Sequence, residues 1–310
     1  MAKIRLQQET LVYCPETSFG QLPASPEGTK LNVLSESIGV STASRVFQEG
    51  LLSYYHGHVV RHVSVAGEVR TYIYPSFFFD MIKAAMRGSV STVGSGPYTH
   101  TITLAGREYS FIFERDVADI NKYLRYMGCR IGAARFNFPT SGPAEIVFSI
   151  LGLREEKFND ALDSTLDEVD EEPYFAEDMV LYVEEEAQSG FISGTATLNV
   201  DMKVGRYAPK TQRAIEIWPG NVGAEGSVNM FTENVTRLGW ERNTELRNIE
   251  FWLARSGNSF RIRFKSVRIT RVSRPFISRG DYAQTIEFQG AKDGSKLPVE
   301  LIVINEQTSI

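Results

Sequence analysis

The sequence predicts a mainly β protein built from two related β-sandwich domains, each with one flanking helix. Three observations favour this fold class. Short segments alternate apolar and polar side chains, β-branched and aromatic residues are spread along the chain, and segments follow a similar order in its two halves. Apolar residues make up 42% of the 310, which is enough to form the core of one large or two medium domains.

Alternation is clearest in two segments. In 196–204 every second residue is apolar, and the polar residues between them face the other side of the predicted strand. In 260–270 apolar residues alternate with Arg and Lys until the phase slips at Ser266, where we expect a β-bulge or a strand break. Arg261, Arg263, Lys265 and Arg268 form a cationic stripe that the slip interrupts after Lys265, and it is expected to pair with carboxylates of a neighbouring subunit or of the acidic segment 154–186.

Two segments have helical signals. In 75–88, Pro75 suits the first helical position, Phe78 and Ile82 lie on an apolar stripe, and Gly88 suits the C-terminal stop. In 232–239, Thr232 is a suitable N-cap and Gly239 ends the turn. The sequence therefore predicts one helix in each half.

These helices reveal a possible internal repeat. Each follows a strand-like segment that contains one of two related four-residue sequence words, Ala-Gly-Glu-Val at 66–69 and Glu-Gly-Ser-Val at 225–228. A long alternating strand precedes each word, and strand pairs follow each helix. The predicted organisation is an N-terminal arm (1–19), a first domain (20–153), an acidic connector (154–186), a second domain (187–304) and a C-terminal tail (305–310).

Charge separates the connector from the rest of the chain. The formal net charge is −5, which argues against a strongly basic nucleic-acid-binding surface. Residues 154–186 contain fourteen acidic and two basic residues, so we expect the first part of the connector to be mobile and solvated. Asp163, Asp167 and Asp170 do not fit a calcium loop.

No catalytic constellation is apparent, and neither an enzyme activity nor a cofactor is expected. His56, His58 and His62 would share one face of a strand, but His62 lies about 13 Å from His58 along it, too far for one zinc ion. Cys14 and Cys129 lack a nearby His in sequence and are interpreted as small buried residues. We expect no secretion signal and no membrane-spanning segment.

The order of several segments resembles that of a known family. The opening 15–50, with its Leu-x-Val-x-Ser-Glu-Ser strand, is followed by GHVVRHVSVAGEVRTYIY, the helix PSFFFDMIKAAMRG, a Tyr-Thr-His-Thr strand from Tyr98 and YLRYMGCRIGAARFNF. This order is similar to that of the tail tube (major tail) proteins of long-tailed bacteriophages, and the similarity spans most of the chain.

The resemblance implies a virion structural protein. In such tubes, β-sandwich domains join around a ring into a β-barrel with an open lumen, and the rings stack into a conduit for DNA ejection. Six domains per ring would require three copies of a two-domain chain, a homotrimer with pseudo-sixfold symmetry. Six copies, a hexamer, would be needed if the second half were a decoration domain. Tape measure and terminator proteins are expected partners, and assembly is expected in the host cytoplasm.

The resemblance also suggests site residues. DNA should pass without specific binding, so a polar or net acidic lumen face is expected. Candidates for that face are Ser35, Ser37, Thr197, Asn199 and Asp201. Loops after the first barrel strand of each domain would contact the next ring, unless they are ordinary hairpin loops. The inter-ring candidates are Ser41, Thr42, Ser44, Arg45, Arg206, Tyr207 and Lys210.

Two alternatives belong to other functional classes. The chain could be a non-polymerising β-sandwich binding module or adhesin that recognises carbohydrate or a host protein, with Tyr54, Tyr55 or Trp218 as exposed aromatic contacts. It could also be a metal-dependent enzyme centred on the three histidines of 56–62. The first would remain a stable unassembled species, and the second would contain stoichiometric metal.

Overall fold

A computed structural model describes residues 10–49, 54–75, 79–117, 122–166, 171–209, 211–231, 245–273, 283–291 and 298–307. Within these ranges the side chains of 43–49 and 54–62 are not described. The described chain forms twenty-one strands, a helix α1 (Phe79–Ala85) and a 3-10 turn at Ala176–Asp178. The mainly β prediction is confirmed.

Strands from both halves form one continuous run of hydrogen-bonded neighbours, here called the shared sheet. In order across the sheet they are β3 (Val33–Glu36) with β4 (Gly39–Glu49), β5 (Tyr54–Tyr72), β10 (Glu145–Gly152), β9 (Lys122–Phe138), β14 (Phe191–Val200), β17 (Val222–Phe231), β20 (Ala283–Gly290) and β19 (Asn258–Ser273). Every described pairing in this run is antiparallel.

Two flanking sheets and one hairpin complete the fold. The first flanking sheet contains β2 (Thr29–Leu31), β1 (Leu11–Pro15), β8 (Phe111–Val117), the first part of β9 and β11 (Arg154–Phe158). The second contains β13 (Glu186–Ala187), β12 (Met179–Val183), β18 (Arg247–Arg255), the first part of β19, β21 (Val299–Asn305), β7 (Tyr98–Leu104) and β6 (Gly88–Val93). The hairpin is β15 (Lys203–Tyr207) with β16 (Ala214–Trp218).

The long strands β9 and β19 each cross from a flanking sheet into the shared sheet. In β19, Phe264 pairs with β21 and Val267 pairs with β20, while β18 pairs with both residues across a register shift. The irregularity predicted at Ser266 is thus confirmed as the point where β19 changes sheets. Lys265 and Ser266 together stand opposite Asn248 of β18, so one extra residue shifts the alternation and keeps Val267 in the same core as Phe264.

The main core lies between the shared sheet and the flanking sheets and includes residues from both halves. Phe138 on β9 stacks on Phe251 of β18 with ring centroids 4.5 Å apart, and Phe288 on β20 meets Phe264 at 5.0 Å. The helix α1 buries Phe79 and Met81 and contacts both β9 and β14. These aromatic rings pack the sheets together with the many buried aliphatic residues of the same core.

The two halves repeat one pattern of strand pairing. Within the shared sheet, β3–β4, β5, β10 and β9 occupy the same relative places as β14, β17, β20 and β19. Both units have a register shift at the same step: Gly132 is the extra residue of β9 and Thr270 that of β19. In the two words of the predicted repeat, Gly67 pairs with Ile150 and Gly226 with Phe288, each beside that shift.

The predicted arm and connector contain regular structure. Residues 11–15 of the arm form the buried strand β1. The connector contains β11 and β12, its Leu162 is buried, and the amide of Gly28 donates a hydrogen bond of 2.9 Å to Asp163. The expected mobile first part is therefore packed against the first flanking sheet over 154–166. The predicted helix at 232–239, and Asp167 and Asp170, lie outside the described residues.

Candidate functional site: the polar face and the open edges

The shared sheet has a polar face opposite the core, and four of the five predicted lumen residues lie on it. Ser35 pairs with Arg70, and the Ser37 hydroxyl accepts a hydrogen bond of 2.9 Å from the Glu68 amide. Thr197 and Asn199 alternate along β14 with buried Leu198. The fifth residue, Asp201, lies just beyond β14, which ends at Val200. Its carboxylate forms an ion pair with Lys203.

Side chains on this face are aligned in rows by the strand registers. One row across seven strands consists of Arg70, Val147, Arg135, Thr197, Glu225, Gln289 and Arg268. The next consists of Tyr72, Glu145, Asn137, Thr195, Ser227, Glu287 and Arg271. Both rows pass from one half of the chain to the other without interruption.

Charges on the polar face balance one another. Its described strands contribute four glutamates and four arginines: Glu68, Glu145, Glu225, Glu287, Arg70, Arg135, Arg268 and Arg271. Arg70 contacts Glu145 at 2.6 Å and Arg271 contacts Glu287 at 3.7 Å. Because Arg70 and Arg271 already have carboxylate partners, these two arginines are poorly placed to hold a passing phosphate.

The two halves meet at a junction between β9 and β14. Ala134 lies opposite Leu198 in this pairing, and both are fully buried. A second pairing crosses the same junction, because β7 of the first half pairs with β21 of the second. There the buried His100 ring lies 3.1 Å from Asn305 Oδ1 and 3.0 Å from the Gln307 carbonyl oxygen.

The outermost strands of the shared sheet are open edges in the described part of the chain. On one side β3 and β4 pair with β5, and on the other the last residues of β19, from Ile269 to Ser273, pair with β20. Neither has a second neighbour among the described residues. At the first edge Val40 is 47% exposed although it points to the core side, opposite the buried Val65. Unpaired edges of this length normally require a partner or protection.

The predicted inter-ring segments are strands. Ser41 and Thr42 are exposed residues of β4, and Ser44 and Arg45 continue that strand, with side chains outside the described set. Arg206 and Tyr207 belong to β15, and Lys210 lies outside the described residues. A small apolar cluster holds the β15–β16 hairpin against the first half through Leu153, Ala214 and Ile217.

The candidates for chemistry are accounted for in structural terms. Cys14 and Cys129 are free and buried, as predicted, and burial raises the pKa of both thiols, which makes them weak nucleophiles. Arg261, Arg263 and Lys265 pair within their own sheet, with Glu250 and Glu300: Arg263 lies 2.7 Å from Glu250 and Lys265 2.5 Å from Glu300. No carboxylate in the described part of the connector forms an ion pair with these three cations. The strand alternation that exposed these cations also positions the carboxylates opposite them.

Three further expectations concern the histidines, the exposed aromatic residues and membrane-spanning segments. The described residues contain no cluster of three metal-ligating side chains, but the side chains of His56, His58 and His62 lie outside that set. Of the aromatic contacts predicted for a binding module, the side chains of Tyr54 and Tyr55 also lie outside the described set, and Trp218 is 57% exposed. No helix among the described residues is long and apolar enough to span a membrane.

Comparison with known proteins bears directly on this arrangement. No curated protein matches the chain. A family model described as phage tail tube protein matches residues 7–290, which include the shared sheet and most of both flanking sheets. Such a match covers nearly the whole sequence, and the chain therefore belongs to the phage tail tube protein family.

Proposed function

We propose that this protein polymerises into stacked rings that form the tube of a phage tail, through which DNA passes into the host. Family membership makes it a structural protein of the virion tail and not a member of an enzyme family. The observation that supports the proposal is the β9–β14 junction, where one repeat of the chain joins the next edge to edge. The same joint, repeated between copies, would use both open edges and close a ring.

Ring size follows from the repeat. Each chain contributes two units to the shared sheet, each with four strand positions, the first of which is shared by β3 and β4 in the first unit. If a ring contains six such units, as the tail tube resemblance implies, three copies complete it with pseudo-sixfold symmetry. In this arrangement the edge strands β3–β4 of one copy would lie beside β19 of its neighbour. Contacts between rings are assigned to the β4–β5 and β15–β16 hairpins, and tape measure and terminator proteins are the expected further partners.

The polar face is proposed as the lumen wall. Its four carboxylates and four guanidinium groups leave little net charge, and its remaining side chains are mostly hydroxyls, amides and small residues. Phosphate contacts by unpaired cations would each add a salt-dependent attraction that slows the DNA. A neutral hydrated wall avoids that attraction. Of the two expected kinds of wall, polar or net acidic, we propose the polar one, with balanced charge.

Electron microscopy of the purified protein tests the proposal. Wild-type protein should form rings or tubes with a central hole. Val40→Lys places a charge at the open edge, where the free chain tolerates it because Val40 is already 47% exposed, and should abolish assembly. Val93→Lys is the matched control, since Val93 is 61% exposed on β6, which lies outside the shared sheet. A wild-type protein that remains a stable unassembled species would instead support the binding-module alternative.

A further inference from the structure

We infer the register of the seam between copies: β19 of one copy pairs antiparallel with β4 of the next, with Arg271 opposite Ser41 and Val272 opposite Val40. This inference rests on the proposed function, because it concerns the joint that closes the ring. It adds which residues meet there, and it makes this seam weaker than the junction inside the chain.

The first step aligns the repeats through their shared irregularities. The extra residues Gly132 and Thr270 make β9 equivalent to β19 residue by residue, so Ala133 corresponds to Arg271 and Ala134 to Val272. On the partner side, the first strands also share a register shift, after Val33 in β3 and after Phe191 in β14. This alignment makes Val40 equivalent to Leu198, and Ser41 equivalent to Asn199.

The second step transfers the in-chain junction to the seam. In the junction Asn199 lies opposite Ala133, and Leu198 lies opposite Ala134. Replacing each residue by its equivalent gives Ser41 opposite Arg271 and Val40 opposite Val272. A one-residue slip would turn every side chain of the edge to the wrong face, so the alternation of apolar and polar residues specifies the register.

Burial and polarity at both edges agree with this register. Val40 points to the core side, opposite Val65, and Val272 pairs with the buried Ile286 and packs against the core. Their contact would cover the valine that the free chain leaves 47% exposed, as the Leu198 position is covered inside the chain. Ser41 and Arg271 are both exposed on the polar face. The seam therefore places apolar with apolar and polar with polar.

Among the described residues, no second hairpin is available to reproduce at the seam the β7–β21 pairing of the in-chain junction. Residues 73–110, between β5 and β8, include the β6–β7 hairpin that reaches across to β21. The equivalent segment between β17 and β18 is the much shorter 232–246, which has too few residues for both a helix and a hairpin like β6–β7. Two pairings thus hold each in-chain junction, and the β4–β19 pairing holds the seam. Rings should come apart into single chains at this seam.

Cysteine cross-linking of the assembled full-length protein tests the register. The variant Ser41→Cys with Arg271→Cys should form disulfides between copies under mild oxidation, since directly opposite residues have Cα atoms about 4.5–5.5 Å apart. A non-reducing gel should show covalent dimers and trimers and a ladder that stops at three. The native Cys14 and Cys129 are buried and contribute no background.

Two matched variants control the experiment. Ala133→Cys with Asn199→Cys, the equivalent pair of the in-chain junction, should cross-link within single chains. Ser41→Cys with Arg268→Cys shifts one partner by three residues, about 10 Å along the strand, and should give no ladder. Rings that cross-link through the Arg268 pair, or through neither pair, overturn the register while leaving the proposed function intact. If the protein forms no rings at all, the proposed function fails first.

Discussion

At the scale of the residue, two glycines allow neighbouring strands to approach closely. A Cβ atom at Gly67 would lie 2.5 Å from the Ser37 carbonyl oxygen, and one at Gly226 would lie 2.4 Å from the Thr195 carbonyl oxygen. Contacts this short are not tolerated by any larger residue without a backbone shift. The two glycines of the repeated sequence words are thus explained by the same close approach in both halves.

We expect buried tyrosines to set the alkaline limit of stability. Burial raises the pKa of Tyr126 to about 12, and its buried hydroxyl has no hydrogen-bond partner among the described residues. A raised pKa stabilises the fold below the usual value of 10.0, and this contribution is lost as pH rises through 12, because the unfolded chain ionises first. Between pH 8 and pH 11, the free energy of unfolding should fall by about 1.4 kcal/mol less in Tyr126→Phe than in the wild type.

Urea unfolding of the unassembled protein at the two pH values provides the measurement. At pH 8 the variant should be at least as stable as the wild type, since it loses no hydrogen bond. Burial raises the pKa of Tyr13 and Tyr174 in the same direction, but these residues are common to both proteins and cancel in the comparison. Equal losses in both proteins would contradict the assignment to Tyr126.

At the scale of the element, the β6–β7 hairpin joins the two halves of the chain by strand pairing. It projects from the first half and pairs with β21, the last strand of the second. Its sequence predicts only a local hairpin, because the glycines of 93–99 fit a turn. That the hairpin completes the sheet of the other half depends on contacts about two hundred residues apart in sequence, which local patterns do not encode.

Loss of the His100 contacts should loosen this attachment. His100→Ala removes hydrogen bonds to Asn305 and Gln307 and to the Thr92 hydroxyl, and leaves a cavity in a fully buried position. The variant should lose about 2–4 kcal/mol of stability. Relative to the wild type, amide hydrogen exchange in the variant should speed up more in β21 than in β10.

Thr101→Ala, on the same strand but half-buried, is the matched control and should change exchange in β21 little. If His100→Ala speeds exchange equally in β10 and β21, the histidine stabilises the whole fold and does not specifically join the halves.

At the scale of the whole molecule, the balance of charge on the polar face should govern passage of DNA. In the assembled tube, Glu225→Lys with Glu287→Lys leaves unpaired cations on the proposed lumen wall. This variant should bind a short DNA duplex at least about tenfold more tightly than the wild type, with an affinity that falls steeply as salt increases. Fluorescence anisotropy in a salt series measures both effects.

The same charge change elsewhere provides the control. Glu185→Lys with Glu186→Lys alters exposed residues at the β12–β13 turn, off the polar face. If this variant binds the duplex as tightly as the polar-face variant, the effect is one of net charge and the polar face does not line the lumen.

Alternation along single strands was enough to determine much of this protein. It predicted the β class, the polar side of β14 and the change of phase at Ser266, because a residue's face within a strand depends only on its own position. Two similar short sequences and the order of the segments predicted the repeat that contains Gly67 and Gly226. The tertiary structure alone decided which strands are neighbours: that β9 joins β14, that β7 completes the second half, and that the arm and connector contain strands. Those pairings depend on long-range hydrogen bonds and on shape at a shared core, and any exposed strand with the same alternation could have formed them.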